Sequence, residues 1–248
     1  MLAVLPLSHP PLNILLLEPS DFISDDTVSI SGRRYSHLVT IKRVKLGDVI
    51  SVGVLSGLMG TAVVEKISDD SVALTVSLSD EPPIPAEVHI VLALPRPKML
   101  KRILQSIASL GVKRVFLINS QKVEKSYWQS PALQPEVLRQ QLILGLEQGK
   151  DTLTPEITLH KGFKPFVEDI LPGEIVQRQC VLAHPKLGDA CHLLSQEKPV
   201  TFVVGPEGGF TPYEVNLLLS AGAKGCQLGA RILKVETALP VLLSAWLH

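Results

Sequence analysis

Nowhere in the 248 residues is there an uninterrupted apolar run of about 18, the length a membrane-spanning helix needs. The first residues, MLAVLPLSHPPLNILLLEPS, are apolar but carry no basic leader, and Pro6, Pro10 and Pro11 interrupt them. They read as an arm packed on the protein rather than a signal peptide. The expected location is therefore the cytoplasm, with no membrane partner. Charge of one sign is also lacking: 24 Lys and Arg balance 24 Asp and Glu. That balance excludes a strongly basic wrapper of nucleic acid, but not a local basic face. Cysteine is scarce. Cys180, Cys191 and Cys226 are an odd set without CxxC spacing, giving neither a disulfide framework nor a zinc cluster. No metal site is expected. Internal repeats and low-complexity stretches are absent too.

What the chain has in quantity is apolar side chain. Hydrophobic residues make up 46% and charged residues 19%, enough for a sizeable core and too apolar for disorder. A stiff connector, Glu81-Pro-Pro-Ile-Pro-Ala-Glu87, divides it. The expected domains are 1–82 and 83–248. Residues 1–80 hold six basic and nine acidic side chains, whereas 81–248 hold 18 and 15.

Before the connector, short β-branched segments alternate in polarity. Thr27–Ile30, Asp48–Val54, Gly60–Val64 and Ser71–Leu78 fit a small β-barrel. After it, apolar runs alternate with helical periods. Expected strands are Glu87–Leu94, Arg114–Ile118, Glu156–Leu159, Cys180–Ala183, Val200–Val204 and Gly225–Leu228. Expected helices include one with Leu100, Ile103, Leu104 and Ile107 on one face. Others cover Pro135–Gly149, start at Thr211, and span Ile232–Trp246. This alternation predicts an α/β fold, a mostly parallel sheet with helices on both faces. Such sheets bind ligands beyond the carboxyl ends of their strands.

Three loops after expected strands could carry chemistry. The first is Gly205-Pro206-Glu207-Gly208-Gly209, followed by Thr211, Pro212 and Glu214. Glycine admits positive φ and close approach of a ligand to the main chain. Thr211 and Glu214 have the spacing of a capping box, with Pro212 at the first helical position. The loop matches neither GxGxxG nor a phosphate loop, and Glu207 would repel a phosphate. A cationic ligand rich in amines and hydroxyls suits it better; S-adenosylmethionine is one such ligand. The second loop is Leu228-Gly229-Ala230-Arg231-Ile232-Leu233-Lys234, with Glu236 just beyond. The plain alternative there is a solvated helix start. The third is Leu182-Ala183-His184-Pro185, where His184 alone would be an ordinary turn residue. A further signal is charge. Val88–Val123 contains Arg96, Lys98, Lys101, Arg102, Lys113, Arg114 and Lys122, and no acid. Such a cluster suits phosphate contacts.

Together these segments resemble the RsmE family of 16S rRNA uridine N3-methyltransferases, of the SPOUT class. The most specific pieces are Gly205–Glu214 and Leu228–Ala238. His37-Leu-x-x-Ile-Lys-Arg43-x-x-x-Gly47-Asp48 and the pair Glu147-Gln148 with Pro155-Glu156-Ile157 extend the likeness. The resemblance implies a small PUA-like β-barrel before a SPOUT domain with a trefoil knot. It implies a homodimer acting on ribosomal RNA or the small ribosomal subunit. The cofactor S-adenosylmethionine would lie among Leu182, Ala183, His184 and Pro185; Gly205, Pro206, Glu207, Gly208 and Gly209; and Leu228, Gly229, Ile232 and Leu233. Catalytic roles would fall to Arg231, Lys234 and Glu236. RNA contacts would come from Arg33, Arg34, Lys42 and Arg43 in the barrel, and from Arg96, Lys98, Lys101 and Arg102. Four positions depart from the family pattern: Ser109, Asp151, Lys234 and Val235. They leave open a second reading, a non-catalytic or differently targeted RNA-binding SPOUT paralogue.

Overall fold

The computed structural model describes residues 13–187, 189–190 and 198–246. Most of the expected N-terminal arm, and Cys191, lie outside them. The chain divides into two compact units. One is Met1–Pro83 with Leu146–Leu153, and the other is Ile84–Gly145 with Thr154–His248.

The first unit is a five-stranded sheet in the order β1-β3-β4-β5-β2. Its strands are β1 (Leu15–Leu17), β2 (Thr27–Ser31), β3 (Val49–Val54), β4 (Met59–Ile67) and β5 (Ser71–Asp80). All pairings are antiparallel except β1 with β3. Alternation supplies the core. Val28 and Ile30, Ala62 and Val64, and Val72, Leu74 and Val76 point inward, joined by Leu15, Leu17 and Leu38. The apolar arm thus includes a strand, β1. After β2 the chain forms α1 (Gly32–Ser36) and continues as a wider-wound segment, His37–Lys42. The strand periodicity gave no hint of this helix.

The segment 146–153 completes the unit. Arg33 makes a forked ion pair with Glu147, the shortest N···O being 3.0 Å. Burial raises the Glu147 carboxyl above its ordinary range, and Arg33 opposes that rise. The backbone N–H of Ile14 donates to Glu147 O, Asn13 Nδ2 to Gln148 O, and Thr152 Oγ1 to Gly57 O.

The second unit is a seven-stranded sheet in the order β10-β12-β9-β11-β6-β7-β8. The strands are β6 (Val88–Ala93), β7 (Arg114–Ile118), β8 (Glu156–His160), β9 (Gln179–Ala183), β10 (Asp189–Ala190), β11 (Val200–Val204) and β12 (Lys224–Gln227). Every pairing is parallel. The helices are α2 (Pro97–Ser109), α3 (Pro135–Gly149, its last turn in the first unit), α4 (Phe163–Pro165), α5 (Leu171–Glu174), α6 (Pro212–Ser220) and α7 (Val235–Leu243). The α/β fold with a parallel sheet and helices is as expected. In α2, Leu100, Ile103, Leu104 and Ile107 are buried as their spacing requires.

Two expectations need correction. The last helix starts at Val235, not Ile232. Gly229 is left-handed (φ 100°), and Lys234 is an extended N-cap (ψ 154°), so 228–234 cannot wind as a helix. Cys226, buried on β12, is disulfide-bonded, whereas Cys180 is a buried free thiol. Burial pushes the Cys180 thiol up to about 12.

Candidate functional site

Because all strands of the second sheet run parallel, their carboxyl ends share one edge. The neighbours β12, β9 and β11 end there in the three loops singled out from the sequence. The loop after β9 is tied sideways, since the His184 N–H donates to Cys226 O at 2.9 Å. His184 Nδ1 accepts from the Lys186 N–H at 3.2 Å, so the ring proton of the neutral imidazole sits on Nε2. Burial, then the charges of Lys186 and Lys122, lower the His184 pKa below the ordinary value for an imidazole.

The loop after β11 is held from several sides. Gly205 lies against Phe210; a Cβ there would stand 3.1 Å from the ring. Phe210 is buried and meets Phe163 at 5.8 Å between ring centroids. Glu207 Oε1 accepts from the Arg96 N–H at 3.2 Å. The Gly209 N–H closes a turn onto Pro206 O at 2.7 Å, with Gly209 at φ 68°. The expected capping box is present, Thr211 and Glu214 bonding reciprocally. Glu214 does more than cap. It is 3% exposed, and its Oε1 accepts from the Gln121 N–H at 2.7 Å, tying the start of α6 to the chain beyond β7.

The loop after β12 is different. Gly229, Ala230, Arg231 and Lys234 are exposed, and Ile232 is 82% exposed. Arg231, Lys234 and Glu236 make no side-chain hydrogen bond or ion pair among the described residues. Beside Gly209 and Gly229 an added Cβ would meet nothing within 4 Å. The main chain is therefore open to a ligand at both points.

Of the candidate RNA contacts, Arg96, Lys98, Lys101 and Arg102 are exposed at the start of α2. Those of the first unit divide. Arg33 is bound to Glu147. Arg34 donates to both oxygens of Asp21, at 2.6 and 2.7 Å, and to Leu16 O at 2.9 Å. Their guanidinium groups already hold that unit together. Lys42 is half-buried, its pKa lowered by burial and by the charge of Lys150, and Arg43 is exposed. Gln121, and the tethering roles of Glu214 and Lys122, are what the sequence did not show. Only the basic run around Lys122 pointed near them. Among the described residues, no group of three or more His, Cys, Asp or Glu could hold a metal ion.

The chain has known relatives. The chain is 28% identical over 232 residues to the ribosomal RNA small subunit methyltransferase E of Treponema pallidum, covering 92% of this chain and 87% of that one. It is 25% identical over 227 residues to a methyltransferase of the same name from Borreliella burgdorferi, covering 92% and 94%. The crystal structure of a ribosomal RNA small subunit methyltransferase E from Neisseria gonorrhoeae, bound to S-adenosylmethionine, shares the fold. Its TM-score is 0.73 at 19% identity, over 94% of this chain and 96% of that one. Residues 82–247, more than half of the sequence, match the RNA methyltransferase domain, and the chain belongs to that family.

Proposed function

We propose that the protein transfers a methyl group from S-adenosylmethionine to N3 of a uridine in 16S ribosomal RNA. The observation that carries this is the shared edge at which β12, β9 and β11 end in the three candidate loops, those after β11 and β12 bearing glycine. The names of the relatives supply the ribosomal substrate. Leu182–Pro185, Gly205–Gly209 and Leu228–Leu233 would hold the cofactor. Open backbone beside Gly209 and Gly229 and a single carboxylate, Glu207, suit a cationic ligand. When bound, it supplies an electrophilic methyl on a sulfonium.

The remaining tasks fall to this chain. Uridine N3 is a poor nucleophile until its proton leaves, so a group must accept that proton. Glu236 takes this role or orients Arg231. Arg231 holds the uracil or its neighbouring phosphate, and Lys234 stabilises charge spreading onto the uracil oxygens. The base must be unstacked to reach them. Exposure of Arg231 and Lys234, with no partner side chain among the described residues, supports a role toward a large substrate.

A trefoil knot is supported by the strand order, in which β12 enters between β9 and β10. A PUA-like barrel in the first unit is supported by its mostly antiparallel five-stranded sheet. Exposed Tyr213, Ile232 and Val241 support a homodimer. A ribosomal substrate supports a cytoplasmic location. Among the described residues no helix is long and apolar enough to cross a membrane.

The test is transfer of labelled methyl to small ribosomal subunits from a strain lacking this protein, with the nucleoside identified by mass spectrometry. The expected product is 3-methyluridine. Cofactor binding without transfer to any RNA would instead establish the non-catalytic paralogue.

A further inference from the structure

Lys122 belongs to the acid-free basic run, and by sequence it faces a polyanion. Its contacts say otherwise. Lys122 Nζ donates to Gly208 O at 2.7 Å, across 86 positions of sequence. Its aliphatic stem lies along the same glycine; a Cβ on Gly208 would stand 3.1 Å from Lys122 Cδ and 3.3 Å from Cβ. The Gly208–Gly209 peptide is therefore fixed at both ends. Its carbonyl takes the ammonium, and its N–H donates to Pro206 O at 2.7 Å. A peptide between two glycines is the easiest point of the loop to rotate, because neither residue carries a Cβ to oppose it. An ammonium on the carbonyl opposes that rotation and, being charged, bonds strongly.

We propose that Lys122 is a positioning residue of the cofactor loop, pinning the Gly208–Gly209 peptide in the orientation that receives S-adenosylmethionine. This rests on the functional reading above, which makes 205–209 part of the cofactor site. Lys122 also reaches the neighbouring loop, since its charge contributes to keeping His184 neutral. One cation thus acts on two of the three loops. Its amine is engaged, so it is not a free phosphate contact.

The experiment compares the full-length protein with Lys122→Met, which keeps the stem and removes the ammonium, and with Lys122→Arg, which keeps a cationic donor. Lys122 is exposed, so all three are expected to melt alike. Without cofactor, the Gly209 amide of Lys122→Met exchanges with deuterium faster than in the wild type. By calorimetry Lys122→Met binds S-adenosylmethionine about tenfold more weakly, the cost of losing a charged hydrogen bond. KM for the cofactor rises in parallel, while kcat and KM for RNA hold. Lys122→Arg recovers most of the affinity. Unchanged exchange and unchanged cofactor affinity overturn the proposal. A raised KM for RNA alone also overturns it, by making Lys122 an RNA contact. If the wild type itself binds no S-adenosylmethionine, the functional reading fails, and the exchange comparison still decides whether Lys122 pins the loop.

Discussion

Two loops of one sheet edge are built in opposite ways. The loop after β11 is fastened by Arg96, Lys122, Glu214 and its own Pro206–Gly209 turn. The loop after β12 presents Arg231, Ile232 and Lys234 to solvent, with no side-chain partner for either cation among the described residues. The first is organised before any ligand arrives, which lowers the ordering cost of binding a small molecule. The second leaves its charges uncommitted, as suits residues that meet a macromolecule. Preorganisation and availability are thus assigned to different strands.

Glu214→Ala should break the contrast most severely. It strands the N–H groups of Gln121 and Thr211, and should lower stability by about 2–4 kcal/mol in urea unfolding. Arg231→Ala should leave stability and cofactor affinity alone and cut turnover by roughly 100-fold, because the uracil is no longer held in line with the methyl. Lost cofactor affinity would move Arg231 into the cofactor site.

Alanine at two left-handed glycines sharpens the comparison. Gly209→Ala and Gly229→Ala meet no steric neighbour, so both report backbone strain alone, about 1–2 kcal/mol where it cannot relax. The fastened loop should show that loss and the open loop a smaller one. Equal losses would mean the open loop is as rigid as the other.

The smallest effect is on titration. The folded pKa of His184 lies below the ordinary imidazole value of 6.5, so the unfolded chain takes up its proton first as pH falls. Its contribution to stability is present above pH 6.5 and declines as pH drops through that value toward the folded pKa. In Lys122→Met the imidazole should titrate higher by NMR, and this acid sensitivity should weaken.

Local patterns carried much of this. The buried stripe of α2 and the Thr211–Glu214 box follow from spacings of three and four residues. The inner strands β6, β7 and β11 of the second sheet are nearly continuous apolar runs, as burial on both faces requires. What stayed hidden depends on contacts across long stretches of chain. Lys122 reads as one more surface cation until Gly208 is beside it. The ion pairs of Arg33 and Arg34 join them to Glu147 and Asp21, 114 and 13 positions away. That residues 146–153 complete the first unit has no signature between two strands of the second. At the last helix, an apolar period running from Ile232 concealed a glycine turn and an extended cap.

The central claim is that the edge formed by β9, β11 and β12 is the cofactor site. A crystal structure of the full chain with S-adenosylmethionine tests it most directly. The cofactor is expected against 182–185, 205–209 and 228–233, with the Gly208–Gly209 peptide unmoved and the loop after β12 rearranged. Cofactor bound elsewhere would rule this edge out as its site, and a Gly208–Gly209 peptide that rotates to admit it would rule out a preset loop.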